Sequence, residues 1–405
     1  MSNFITLFFK KFEIMQNKKQ HKITHRLFKP QTLPIIGLII TMIIGPHSFA
    51  QHTSNTDSIK QALPQQNQKE HKVPVGNKIH ELPEGLPIAV FSAGGTKENV
   101  LDGFIKEQKV AGLLILHDGK IRLERYALKH SNTNLWSSLS VAKSVTSTLL
   151  GVAIKDGYIK SVDDYVTDYL PELKKSAFDS VKIRHLLTMT SGIKWNENYT
   201  DSDSDIDRFD RDTTVDGMKA IVSYMWRLPT EAEPGKKFNY STGETHLLGA
   251  LISSATKQSL SHYLSSKIWM PYGMEQTATW RLDRTSQEMA GCCLQMRLRD
   301  FGRFGQFVLE NGYINGESIV PDDWFKTATQ IQVPLWPGGG YGYGWWIFNS
   351  HSFEALGIYG QKIYIDPSRK LVIAINSAWP EADSNKRHFA AANFIKSITD
   401  EIDKE

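Results

Sequence analysis

The stretches richest in strand signals lie at opposite ends of this chain, with helix-patterned sequence between them. Residues 112–126, GLLILHDGKIRLERY, read as a β-hairpin: an apolar strand, an Asp118-Gly119 turn, then the alternation Ile121, Leu123, Arg125. Near the other end, YGYGWWIFN (341–349), FEALGIYGQKIYID (353–366) and KLVIAINSAW (370–379) read as strands, with DPSRK as the turn between the last two. From about residue 160 to 328 the apolar spacing is helical, most clearly in ETHLLGALISSAT and in DFGRFGQFVLENG, where Gly312 stops the helix. A terminal amphipathic helix, NKRHFAAANFIKSITDEID, closes the chain, and no internal repeat is present. One sheet assembled from both ends accommodates this order. The expected fold is therefore α+β, of the α/β sandwich type: an antiparallel sheet from N- and C-terminal segments, flanked by helices, with an inserted mainly helical domain.

With 405 residues, 40% of them hydrophobic and 22% charged, the composition is that of a globular protein. The formal charge of +4 is concentrated in the first fifty residues, where seven Lys and Arg face one acid, Glu13. The remainder holds 40 basic and 42 acidic residues, a balance that gives no reason to expect a nucleic acid partner. The basic stretch precedes an apolar run, Leu33 to Gly45, and then Ser48-Phe49-Ala50, which is the order of features in a secretory signal peptide. Residues 1–50 are expected to be removed by cleavage before Gln51, giving an exported protein, periplasmic or secreted. Met15 is an alternative start that would shorten the basic region. Thirteen apolar residues fall short of the roughly 20 that span a bilayer, so no stable membrane anchor is expected after cleavage. Gln51 stands where a lipid-anchored protein would need Cys. Residues 51–78 read as a disordered polar leader, and 79–405 as the folded domain, with the helical insertion at about 160–328. Cys292 and Cys293 are adjacent, which argues for two small hydrophobes with neither a disulfide framework nor a metal-ligand set.

Three Ser-x-x-Lys matches occur, at Ser140–Lys143, Ser191–Lys194 and Ser254–Lys257, a number that chance alone nearly accounts for. Context separates them. Ser254 ends a helical pattern, where the dipole opposes an alkoxide, and Ser191 lies in the loop-like TMTSGIKW. Ser140 opens a strong helix whose apolar set is Val141, Val145, Thr148, Leu149 and Val152. A helix start favours negative charge on the serine oxygen, and Lys143 lies on the same face one turn along. Burial there would lower the lysine pKa and let it take the serine proton. The plainer reading is that Ser140 is only an N-cap.

Further stretches stand in the order of a known family. GLLILHDGKIRLERY, SLSVAKSVTSTLLG, IRHLLTMTSGI, EPGKKFNYSTGETHLLG, RDFGRFGQFVLENG and YGYGWW, from about Gly112 to Ser377, resemble the serine β-lactamase and penicillin-binding-protein superfamily. The resemblance is strongest to its class C-like branch of esterases, D-amino-acid-releasing peptidases and 6-aminohexanoate-dimer (nylon-oligomer) hydrolases. It implies Ser140 as nucleophile, with Lys143 and Tyr240, in FNYSTG, as proton-transfer groups. Where the family often has Tyr-x-Asn this chain has Thr242, and where Lys-Thr-Gly or His-x-Gly is usual it has Ile358-Tyr359-Gly360. An apolar Ile358 at the cationic position argues against pairing with a β-lactam carboxylate. Gly360 would permit close backbone approach, so that the N–H of Gln361 joins that of Ser140 as the oxyanion hole. Tyr199, in ENYTD, resembles a substrate-contacting tyrosine of the nylon-oligomer branch, and Trp195 is placed near it. The acidic run DSDSDIDRFDRD lacks the glycine and terminal Glu of a calcium loop and reads as a solvated flexible loop.

The resulting expectation is a serine hydrolase cleaving a small-molecule amide, ester or peptide through an acyl-enzyme, with no cofactor and no metal. Two alternatives stand: a β-lactamase or D,D-peptidase, and a non-catalytic ligand-binding or sensor protein on the same fold. Neither substrate identity nor oligomeric state is legible in the chain.

Overall fold

The computed structural model describes residues 68–89, 100–215 and 217–405. The expected signal peptide, and residues 51–67 of the expected leader, lie outside these described residues. The end of that leader is folded: Glu70–Val73 form strand β1, and Val73 is fully buried. The polar composition of the segment hid a strand held by its neighbour rather than by its own apolar content.

Strands β2 (Val110–His117) and β3 (Lys120–Tyr126) make the expected hairpin, and Asp118 and Gly119 both have positive φ, 51° and 72°, as its two-residue turn requires. Short strands β4 (Trp136–Ser137), β5 (Ala278–Arg281) and β6 (Leu294–Met296) join β1 in a four-stranded sheet ordered β1-β5-β6-β4. Strands β7 (Tyr313–Ile314) and β8 (Glu317–Ser318) pair with each other. From the C-terminal part come β9 (Val333–Trp336), β10 (Gly339–Tyr341), β11 (Trp346–Ile347), β12 (Phe353–Gly357), β13 (Gln361–Asp366) and β14 (Leu371–Ser377).

The main sheet has eight antiparallel strands in the order β3-β2-β14-β13-β12-β11-β10-β9. One strand in from its edge, β2 pairs with β14, Ile115 facing Ile373, and this seam joins the two ends of the chain as the sequence implied. Alternation then gives each strand two apolar faces. Leu113, Ile115, Ile373 and Ile375 pack against helices α1 (Val100–Glu107) and α5 (Asn385–Ile402). Leu114, Leu116, Val372 and Ala374 face the larger core, which includes α2 (Ala142–Lys155), α3 (Thr242–Thr256) and α4 (Leu298–Leu309). Helix α4 sits directly on the sheet because it presents glycine there: a Cβ on Gly302 would lie 2.5 Å from Leu114, and one on Gly305 2.5 Å from Val372.

The inserted region is less purely helical than its spacing implies, since it contributes β5 and β6, and α4 belongs to the sheet's helical layer. Two further expectations are corrected. Within the acidic run, Asp205–Arg211 form a helix capped by Ser204, and Asp205 is buried, accepting hydrogen bonds from Asn196 N, Arg208 and the Tyr224 hydroxyl. Cys292 and Cys293 are half-buried and joined by a disulfide, with Cα atoms 3.7 Å apart and Cys293 in a left-handed conformation. The left-handed residue turns the two neighbouring side chains towards each other, a geometry an adjacent pair does not advertise. Among the described residues, no helix is long and apolar enough to cross a membrane.

Candidate active site

Helix α2 is buried on every side, not amphipathic, and runs through the core between sheet and insertion. Its hydroxyl residues tie it to its surroundings: Ser144 donates to Gly344 O (2.7 Å), Ser147 to Tyr343 O (2.6 Å) and Thr146 to Ala290 O (2.8 Å). A short 3-10 turn, Leu139–Val141, precedes it and carries Ser140. Leu139 adopts φ 44°, a conformation L-residues avoid, immediately before the serine. Ser140 therefore sits on a tight turn whose helix continues behind it, with a little of its surface open to solvent.

Lys143 is 2% exposed, and its Nζ lies 3.0 Å from Ser140 Oγ, 2.9 Å from Thr242 Oγ1 and 2.9 Å from Gly291 O. Burial pushes its pKa down from 10.5 to about 8, against the opposing pull of the Glu197 carboxylate. Tyr240 stands just before α3, its ring 4.9 Å from Lys143 Nζ, and Ser140 is the polar neighbour that eases ionisation of its hydroxyl. The ring stacks on Trp346 at 5.7 Å and is 6% exposed. Burial raises the phenol pKa far above its usual value, only partly offset by Ser140, so Tyr240 is a neutral hydroxyl here.

The other two Ser-x-x-Lys pairs come apart. Ser191 is buried and donates to Glu244 (2.6 Å), while Lys194 is exposed. Ser254 donates to Tyr169 O (2.9 Å), and Lys257 is the exposed left-handed residue ending α3.

A cavity of about 510 Å³ opens at Ser140 and is walled by Tyr199, Tyr240, Trp336, Trp346 and Ile358. It continues past Leu356 and Lys362 towards α5. Its cations are already paired: Lys362 with Glu354, Arg369 with Asp366 (2.7 Å) and Lys396 with Asp400 (2.6 Å). Of the expected substrate contacts, Tyr199 and Ile358 line this cavity; Trp195, Thr242, Tyr359 and Gly360 do not. Trp195 is buried, with its indole N–H on Glu197, and Thr242 bridges Lys143 and Glu197.

The close backbone approach to Ser140 expected at Gly360 occurs instead at Gly357. A Cβ on Gly357 would lie 2.8 Å from Ser138 O and 3.2 Å from Ser140 N, so this is where β12 meets the turn that carries Ser140. Gly360 packs instead against Trp379, 2.4 Å from a notional Cβ, with φ 89°. Gln361 pairs with Gly357 in the ladder and turns its carboxamide inward, to Trp136 Nε1 (2.8 Å) and Ser377 O (2.8 Å). Tyr359, at φ 58°, carries the chain round the tight turn between them. Glu197, Gly291 and Gly357 escaped the sequence reading. Glu197 is two residues from the singled-out Tyr199 and Trp195, which was the available signal. Among the described residues, no group of three or more His, Cys, Asp or Glu could hold a metal ion.

The sequence pattern of the family described as Beta-lactamase matches residues 98–394. The 6-aminohexanoate-dimer hydrolase of Paenarthrobacter ureafaciens is 25% identical over 334 residues, 78% of this chain and 85% of that protein. The solved structure named "Putative 6-aminohexanoate-dimer hydrolase from Bacillus anthracis" aligns with TM-score 0.74 and 26% identity, covering 87% of this chain and 94% of its own. A penicillin binding protein from Bacillus halodurans aligns with TM-score 0.58 over 73% of this chain and 99% of its own; at 16% identity this likeness concerns the fold alone.

Proposed function

Since this chain belongs to the beta-lactamase family and is a serine hydrolase, we propose that it is exported and cleaves a small neutral amide or ester through an acyl-enzyme on Ser140. The observation that carries the reading is the buried Lys143 Nζ, 3.0 Å from Ser140 Oγ with its pKa brought down to about 8. Ser140 Oγ attacks the carbonyl carbon, and its proton passes to Lys143. Tyr240, a neutral phenol beside Ser140, hands a proton to the leaving amine or alkoxide as the C–N or C–O bond breaks, and recovers one from Lys143. Water then attacks the acyl-enzyme by the reverse proton route.

The oxyanion would be held by the N–H groups of Ser140 and Ile358, not Gln361, because β12 reaches the nucleophile turn at Gly357 and Ile358 lines the cavity. A neutral substrate suits a lining whose Lys362, Arg369 and Lys396 are already in ion pairs. The 6-aminohexanoate-dimer hydrolase relative supports a linear amide over a β-lactam.

A panel of ester, linear amide and β-lactam substrates, run with a Ser140→Ala control, tests the reading. Ester or amide turnover that vanishes in the variant is expected; a chromogenic cephalosporin turned over as fast as the best ester would reverse the substrate assignment. Export is checked by sequencing the N-terminus of protein from the periplasmic and culture fractions, which should begin at Gln51; recovery only from the cytoplasm with the leader intact would contradict it.

A further inference from the structure

The hydrogen bonds around Lys143 have a direction, and that direction is set from outside the Ser/Lys/Tyr group. The Glu197 carboxylate receives four donors. Trp195 Nε1–H and the backbone N–H of Thr242 (2.9 Å) fall on Oε2; the hydroxyls of Tyr199 (2.8 Å) and Thr242 fall on Oε1. A carboxylate only accepts, so the Thr242 hydroxyl must spend its one proton on Glu197. Its oxygen is then left to accept from Lys143, at 2.9 Å, and Gly291 O accepts from Lys143 at the same distance. A neutral amine has two N–H groups and one lone pair. With both N–H groups committed to Thr242 and Gly291, the remaining tetrahedral direction points at Ser140 Oγ.

We propose that Glu197 is a positioning residue that, acting through Thr242, aims the Lys143 lone pair at the Ser140 hydroxyl. The proposal rests on the reading of Ser140 and Lys143 as nucleophile and base. It gives Thr242 a purpose that the carboxamide of a Tyr-x-Asn pattern would serve differently, and it places Trp195 and Tyr199 as donors that hold Glu197.

Glu197→Gln makes the consequence specific. Both donors at the Oε2 position are obligate N–H groups, so the introduced carboxamide must set its oxygen there and turn its NH2 towards the two hydroxyls. The Thr242 hydroxyl then reverses and donates to the Lys143 lone pair. Two titratable groups face Lys143: Tyr240, whose ring is 4.9 Å away, and Glu197, the charge that raises its pKa; the loop at Gly291 offers only a carbonyl. Losing the carboxylate therefore lowers the lysine pKa even as it misdirects the lone pair.

The test is the pH profile of kcat/KM for a small activated ester with the full mature protein and Glu197→Gln, Thr242→Val, Thr242→Ser and the Glu197→Gln/Thr242→Val double variant. Glu197→Gln and Thr242→Val should each lose about 10- to 100-fold, part of the roughly 10²–10⁴ that a positioned proton-transfer group supplies. The double variant should be no worse than the poorer single one, since both break one relay. Thr242→Ser should restore most of the rate, and the acidic limb in Glu197→Gln should move to lower pH. A folded Glu197→Gln enzyme with the wild-type rate, an unmoved or raised limb, additive losses, or Thr242→Ser as poor as Thr242→Val would each overturn the proposal. If Glu197→Gln does not fold, the Thr242 pair decides alone. Fluorophosphonate labelling of Ser140 in the wild type separates the two failures: without it the nucleophile reading falls, and with it only the role of Glu197 is at stake.

Discussion

Gly357 and Gly360 stand three residues apart on either side of one turn, and the structure gives them opposite purposes. At Gly357 the backbone is ordinary extended chain, φ −128° and ψ 150°, so alanine is conformationally acceptable. The added Cβ would meet Ser138 O at 2.8 Å, Gln361 Cβ at 3.0 Å and Ser140 N at 3.2 Å. Relieving the shortest of these to an ordinary contact moves β12 from the Ser140 turn by about half an ångström; a full ångström costs a reaction roughly 10²-fold, so about tenfold in kcat/KM is expected for Gly357→Ala. At Gly360 the Cβ would strike the Trp379 ring at 2.4 Å and Ser377 Cβ at 2.8 Å, in a left-handed conformation. Gly360→Ala should therefore lose about 1–3 kcal/mol of stability through overpacking, with a small effect on the rate of the folded fraction. Urea midpoints and initial rates on an activated ester, normalised to active sites, separate the two variants. Full activity in Gly357→Ala, or a selective rate loss at unchanged midpoint in Gly360→Ala, would refute this placement of the glycines.

The acidic limb of kcat/KM should lie near pH 8, because Lys143 as the proposed base must be deprotonated and burial has brought its pKa down from 10.5; a rate that climbs only near pH 10 would contradict this. Tyr240→Phe keeps the ring on Trp346 but removes the hydroxyl, and should cost roughly 10²–10⁴ in kcat with little change in the urea midpoint; a loss under threefold would remove Tyr240 from the proton route. Buried Glu244 has its pKa raised to about 8 by desolvation, with Ser191 donating to it. A folded-state pKa above the unfolded value gives stability that is full below the unfolded value of 4.5 and lost as pH rises through about 8. Glu244→Gln keeps an acceptor for Ser191 and should flatten urea midpoints measured from pH 5 to 9; equal slopes in both proteins would count against the assignment.

What could be read from the chain followed the range of the signals. The β2–β3 hairpin is local: an Asp-Gly turn and alternation fix it within fifteen residues, and β14 is equally self-contained, whereas 353–366, read as one strand, folds back on itself as β12 and β13 around the turn at Ile358–Gly360, and 341–349 is broken between β10 and β11. Ser140, Lys143 and Tyr240 are singled out in the chain by helix position and collinear motifs, and the fold brings the three side chains together. Other features depend on partners far along the chain. Strand β1 exists through its pairing with β5, some two hundred residues on, and Asp205 is tolerated as a buried carboxylate on an otherwise largely exposed helix through Asn196 and Tyr224. Glu197 looks like one more acid in a polar loop until Thr242, forty-five positions later, lies against it. The shift of the close approach from Gly360 to Gly357 turned on the left-handed Tyr359, which moves the contact to the other side of the turn and leaves no mark in the pattern of residue types.

Covalent catalysis by Ser140 can be tested by reacting the mature protein with a fluorophosphonate and mapping the adduct by peptide mass spectrometry. A single stoichiometric adduct is expected on the peptide containing Ser140, absent in Ser140→Ala and formed more slowly below about pH 8, where Lys143 is protonated. An adduct on Ser191 or Ser254, or labelling that persists in Ser140→Ala, would contradict it.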